Sequence, residues 1–199
     1  MDFGALIVIM MSAVLVNNFV LIQFLGICPF LGTSKTLKSA ASMSFAVMFV
    51  MLIATFVTWP IYTLILEPGG VGFLQTIVFV LIIASLVQFV EIVIKRYVPP
   101  LYGTLGVFLP LIATNCAVFA VTLLNISNEL TFIEALVNAL GAGGGFLLAM
   151  VIFAGIREHI ESANPPECIK GLPILLFSVA ILAMAFMGFG GVIENLFGQ

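Results

Sequence analysis

The chain has 199 residues, of which 63% are hydrophobic and only 8% charged, with a formal net charge of -3. Its mean hydropathy is +1.33. A water-soluble domain carries about a quarter charged residues, so an ordinary soluble globule is excluded; with no basic stripe, so is a nucleic-acid binder.

Apolar runs that can cross the roughly 30 Å hydrocarbon core, which takes about 20 helical residues, fall at 3–32, 39–66, 71–94, 101–124, 131–156 and 171–197. The expected fold class is therefore all-α: a single polytopic membrane domain, 1–199, with six transmembrane helices. Runs such as TIVFVLIIASLV are apolar on every face, whereas barrel strands alternate. The first run reads as a span and not a cleavable signal peptide, because Asp2 stands where a basic segment belongs and the run is too long.

Lys35 and Lys38 lie between spans one and two, Lys95 and Arg96 between three and four, and Arg157 and Lys170 between five and six. The positive-inside rule puts these loops in the cytoplasm, with both termini and the loops carrying Glu67 and residues 125–129 outside, in the cytoplasmic (inner) membrane of a prokaryote. The polar stretch 157–170 reads as a loop. Pro99 and Pro100 divide the spans into halves, 1–98 and 99–199, whose first helices start on opposite sides, the arrangement of an inverted repeat.

Cys28, in GICPF, and Cys116, in LPLIATNCAVF, each fall in the first span of a half, near Pro29 and Pro110. On straight helices of about 1.5 Å rise, Cys116 would lie roughly 23 Å in from Leu101 and Cys28 only about 10 Å from Lys35. Unwinding at Gly26, Pro29 and Gly32, and a break at Pro110, would bring them level, each first helix becoming a half-helix plus extended chain. Non-helical backbone at that depth must be covered by protein or line a cavity. Asn17, Asn18, Thr114 and Asn115 are positioned to satisfy the freed backbone groups. A buried cysteine is often a small hydrophobe, but a pair in corresponding places suggests a metal or electron site. A two-iron cluster needs four protein ligands, so two thiols make half a site. Cys168, after Pro165 and Pro166, reads as incidental.

The segments VNNFVLIQFLGICPFLGTSK, PPLYGTLGVFLPLIATNCAVF and AFMGFGG closely resemble the family of membrane subunits shared by the Rnf complex and the sodium-pumping NADH:quinone reductase. The likeness covers nearly the whole chain, and the topology and PFLGTSK favour the A-type branch. It implies pseudosymmetric pairing with the homologous E-type subunit, inserted the opposite way. It also implies a [2Fe-2S] cluster shared between the two, with Cys28 and Cys116 as this chain's ligands. At the level of the complex it implies an ion-translocating ferredoxin:NAD+ oxidoreductase moving Na+ or H+. Further partners would be the B-, C-, D- and G-type subunits, with flavins (FMN, riboflavin) and other iron-sulfur clusters held there. No catalytic residue is expected in this chain.

Glu91 and Lys95 have the spacing of a helix-surface pair, with cation entry as the alternative for Glu91. Gln75 and Gln88 lie near span ends, and Glu134 is the other candidate ion-path carboxylate. The stretch 141–145 reads as close helix packing, since it lacks the Lys-Ser/Thr of a phosphate loop. His159 is the sole histidine, which excludes bis-histidine haem ligation. Two competing functions remain at this stage. A secondary transporter or channel-like component would use the cysteines only structurally, and a thiol-disulfide exchanger would need them to meet.

Overall fold

Uninterrupted apolar sequence satisfies its own backbone by helix formation, and a computed structural model of the chain shows helices and no strands among the described residues. These are 3–16, 18, 20–33, 36–69, 72–97, 109–163, 166 and 169–197. The first helix, α1 (Phe3–Met11), widens into a π turn at Ser12–Val16, after which the chain unwinds as far as Gly26. Then come α2 (Ile27–Thr33) and α3 (Leu37–Ile61). Thr36 caps α3, its hydroxyl accepting from the Ser39 N–H at 3.3 Å. Pro60 removes one ladder donor near the far end of α3, and a π turn at Tyr62–Leu66 follows. The remaining helices are α4 (Gln75–Tyr97), α5 (Leu109–Ala113), α6 (Cys116–Ser127), α7 (Phe132–Ser162) and α8 (Leu172–Phe197).

Among the described residues three helical stretches are long and apolar enough to cross a membrane, Leu37–Gly69, Gln75–Val93 and Phe132–Ser162; Leu111–Ser127 and Leu172–Gly188 are shorter apolar helices. Large apolar side chains point outward at helical spacing: Phe45, Phe49 and Phe56 on α3, Phe177, Ile181 and Met184 on α8. That pattern suits a surface facing lipid.

α3 and α7 form the central pair, with Met43, Val47 and Met51 meeting Phe146, Met150 and Phe153 in the core. Hydrocarbon solvent gives no hydrophobic drive between helices, so close van der Waals packing between small residues has to hold them. The 141–145 stretch does this, as its sequence suggested. A Cβ on Gly141 would fall 3.0 Å from the Met10 carbonyl oxygen, one on Gly145 3.1 Å from that of Val14, and one on Gly143 2.5 Å from Met48 Cγ. The glycines thus seat α1 on one face of α7 and α3 on another.

Contacts fix which helix ends lie together. Arg157 donates to the Leu31 carbonyl at 3.1 Å, joining the ends of α2 and α7. At the opposite end of α3, Trp59 Nε1 donates to the Leu130 carbonyl at 3.0 Å, and its ring meets Phe132 edge-on. The helical stretches expected to be spans one and four are both interrupted, but not where the prolines suggested. Gly26 ends the unwound segment, whereas Pro29 and Gly32 are inside α2. Proline is accommodated there because the first turn of a helix leaves its N–H groups unpaired anyway. Pro110 lies within α5, and the interruption falls beyond it, at Thr114–Asn115. The polar stretch from Arg157 is also not all loop: α7 runs on to Ser162, held there by an Arg157–Glu161 pair at 3.2 Å. Lys35, Asn17, Pro99, Pro100 and Cys168 lie outside the described residues.

Candidate functional site

At the first interruption the freed backbone groups turn to one buried amide. Asn18 Oδ1 accepts from the Val20 N–H at 3.2 Å, while its Nδ2 donates to the Gly145 carbonyl at 2.9 Å and the Val14 carbonyl at 3.3 Å. The side chain therefore ties the unwound chain to the glycine seam of α7. Phe24 and Gly26 take left-handed backbone angles, φ 55° and 85°. For phenylalanine this is uncommon and costs about 1–2 kcal/mol, so the surrounding structure must impose it. The turn delivers Cys28 to the opening turn of α2.

Asparagine does the same work at the second interruption. Asn115 is extended (φ -73°, ψ 112°) and its Oδ1 accepts from the Ala117 N–H at 3.0 Å, capping α6. Cys116 is the first residue of that helix. Both cysteines thus open a helix that follows an Asn-supported break, with Asn18 and Asn115 in the role their sequence positions suggested.

The two interruptions touch. A Cβ on Gly26 would come 3.0 Å from Asn115 Oδ1, 3.2 Å from Ala117 Cβ and 3.3 Å from a Phe146 ring carbon. Glycine therefore allows the chain two residues before Cys28 to lie against the residues flanking Cys116. The two interruptions are thus packed side by side, through breaks at different residues from those expected. Both thiols are free and exposed. Among the described residues no three His, Cys, Asp or Glu side chains converge, so the pair has no further ligand there.

A groove of about 570 Å³ runs between α4 and the second interruption, lined by Cys116, Asn115, Thr114, Gln88 and Glu91 among others. Glu91 thereby shares a cavity with a cysteine. Within the break, Asn115 is only 4% exposed, and its Nδ2 has no hydrogen-bond partner among the described residues. Such an unmet buried donor costs about 1–3 kcal/mol.

The other candidates take structural positions. Glu134 Oε2 accepts from both the N–H and the hydroxyl of Thr131, at 2.9 and 2.8 Å, in a capping box that opens α7. Gln75 is the first residue of α4, and His159 is exposed in the last turn of α7. Arg157, read from sequence only as a topology marker, holds the carboxyl end of α2 and so braces the helix that carries Cys28. Nothing local in the sequence announces that bond, because its partners are 126 residues apart. A partly buried pair near the opposite end, Asn138 Nδ2 donating to Asn125 Oδ1 at 2.7 Å, was also not apparent.

Comparison with known proteins gives consistent matches. The family described as "Rnf-Nqr subunit, membrane protein" matches residues 6–193. The chain is 55% identical, over 94% of its length and 97% of the relative's, to the A subunit of the Na(+)-translocating ferredoxin:NAD(+) oxidoreductase complex of Acetobacterium woodii. It is 49% identical to the A subunit of the ion-translocating oxidoreductase complex of Syntrophotalea carbinolica, over 96% of this chain and 98% of that one. It is 48% identical to the corresponding A subunit of Proteus mirabilis, over 94% and 97%.

Proposed function

This chain belongs to the Rnf-Nqr family of membrane subunits, and from that premise we propose that it serves as the A-type subunit of an ion-translocating ferredoxin:NAD+ oxidoreductase. Its part is to carry electrons across the membrane through a [2Fe-2S] cluster shared with the homologous E-type subunit, coupled to movement of Na+ or H+. The observation that carries the reading is the contact of Gly26 with Asn115 and Ala117, which sets Cys28 and Cys116 on adjoining helix starts.

The donor set fits half of such a centre. Two thiols, both free and exposed, are available to a group that also reaches a second protein chain, and thiolates are the ligands such clusters take. Cys28 and Cys116 would hold it from this side. When bound, the cluster supplies one-electron transfer. The chain's own contribution is to fix the two thiols: Asn18 and Asn115 support the interruptions, Gly26 admits the close approach, and Arg157 braces α2.

The groove supports a route to coupling. Glu91 and Gln88 line the same cavity as Cys116, and there a unit change of charge acts through a medium of lower dielectric than water. It therefore shifts the energy of a cation near Glu91, and so the balance between access states of the paired subunits. On the same reading the chain is a multi-pass protein of the inner membrane, in six spans forming two inverted repeats, with B-, C-, D- and G-type subunits completing the complex. Flavins and the remaining iron-sulfur centres belong to those subunits.

The test is low-temperature EPR of the dithionite-reduced pair of A- and E-type subunits, purified anaerobically, beside Cys28→Ser and Cys116→Ser. A two-iron signal in the wild type that vanishes in both variants is expected. An intact pair without iron or signal would return the cysteines to packing and leave a transporter component as the reading.

A further inference from the structure

We propose that the side-chain N–H of Asn115 donates a hydrogen bond to a sulfur of the group held at Cys116, and so raises the reduction potential of that group. The inference rests on the cluster reading above and assigns a task to a residue that is not itself a ligand.

The two interruptions supply the comparison. Each is supported by one buried asparagine whose Oδ1 accepts a backbone N–H two residues on, from Val20 to Asn18 and from Ala117 to Asn115. Asn18 spends its amide protons on the Gly145 and Val14 carbonyls. Asn115 Nδ2, equally buried, meets no acceptor among the described residues. Reversing the amide would not relieve it, because the NH2 would then face the Ala117 N–H, so the cap fixes which end carries the donor. The side chain adjoins Cys116 in sequence and lines the same groove. It is a donor in a place where buried polar groups are nearly always paired, beside a thiol available to a ligand.

A sulfur of an iron-sulfur group supplies the missing acceptor. Reduction adds one electron and hence one negative charge, which a fixed N–H donor favours more in the reduced than in the oxidised form. Hydrogen bonds to the sulfurs are among the determinants of potential in such centres. Among the described residues the two interruptions are also unequal: Asn115 keeps an unpaired donor next to Cys116 in sequence, while Asn18 is committed to α7.

The experiment is an EPR-monitored redox titration of the anaerobically purified pair of A- and E-type subunits, comparing wild type with Asn115→Ser and Asn115→Asp. Serine and aspartate are good caps, so the start of α6 is retained while the NH2 donor is lost. At the wild-type midpoint, the ratio of reduced to oxidised centres is expected to fall about tenfold in Asn115→Ser, a shift of about 59 mV for one electron. It should fall further in Asn115→Asp, whose carboxylate also opposes reduction. An unmoved midpoint in Asn115→Ser, with the signal intact, would overturn the proposal, since a merely structural role changes the amount of cluster and not its potential. Should both variants lose the signal, the wild-type pair labelled with [side-chain 15N]asparagine decides. Hyperfine coupling of the reduced centre to that nitrogen is expected, and its absence overturns the assignment. A wild-type pair without any cluster refutes the underlying reading and the proposal together, and is thereby distinct from a cluster whose potential ignores Asn115.

Discussion

Replacing Gly26 by alanine tests the contact on which the site is built. The residue holds φ +85°, a left-handed angle that costs a side-chain-bearing residue about 1–2 kcal/mol. The new methyl would sit 3.0 Å from Asn115 Oδ1 and 3.2 Å from Ala117 Cβ. Asn115 cannot retreat without stretching the 3.0 Å bond by which it caps α6, a loss of about 1 kcal/mol. With residual crowding the substitution should destabilise by about 2–4 kcal/mol. Gly32→Ala is the control, since Gly32 lies inside α2 and a Cβ there meets nothing within 4 Å. It should be neutral or stabilise by up to about 1 kcal/mol, as alanine favours helix. Detergent-titrated unfolding of the purified protein reads both, and iron content per complex shows whether the thiols stay aligned. Equal effects of the two substitutions would refute the argument that the breaks meet at Gly26.

The glycine seam gives a second internal comparison: Gly141→Ala, whose methyl meets the Met10 backbone at 3.0 Å, should lose about 1–3 kcal/mol. Gly144→Ala, with only Val14 Cγ2 at 3.8 Å, should lose nothing in the same unfolding titration. Arg157→Met keeps the stem but removes the bond to the Leu31 carbonyl, worth about 1.5–3 kcal/mol, so amide exchange should quicken across α2 and not across α6. Glu134→Gln retains a capping acceptor and should leave ion transport by the reconstituted complex within about twofold. A collapse of transport in that variant would restore Glu134 to the ion path.

Much of this was legible because it depends on local chemistry. Uninterrupted apolar runs could only be helices, and Gly26, Asn18 and Asn115 carried the signals of interrupted ones. The seam at 141–145 showed in its composition alone. Proline misled, since Pro29 occupies the opening turn of α2, where it breaks nothing, and the chain past Pro110 stays helical as far as Ala113. Glu91 reads like one half of a surface pair because spacing along a helix says nothing of what faces it across a groove. Arg157 reads like a loop charge because α7 continues past the apolar run, carried by an i,i+4 pair that composition does not reveal. Its bond to Leu31, and the meeting of two interruptions about ninety residues apart, are tertiary facts without a local signature.

The pairing of α3 with α7 also divides the molecule mechanically. Of the most apolar window of α7, 56% is buried, and of that of α3 44%, whereas α4 buries only 17%. Gly143 lets α3 lie close against α7, a Cβ there falling 2.5 Å from Met48 Cγ. α4 buries only a few large side chains, such as Phe79, Ile83 and Val87. One wall of the groove at Cys116 is α4 and the other is the Asn115 break, itself tied to the central pair through Gly26 and Phe146. The groove is therefore bounded on one side by a helix that is largely exposed in this chain and on the other by a break packed against the core.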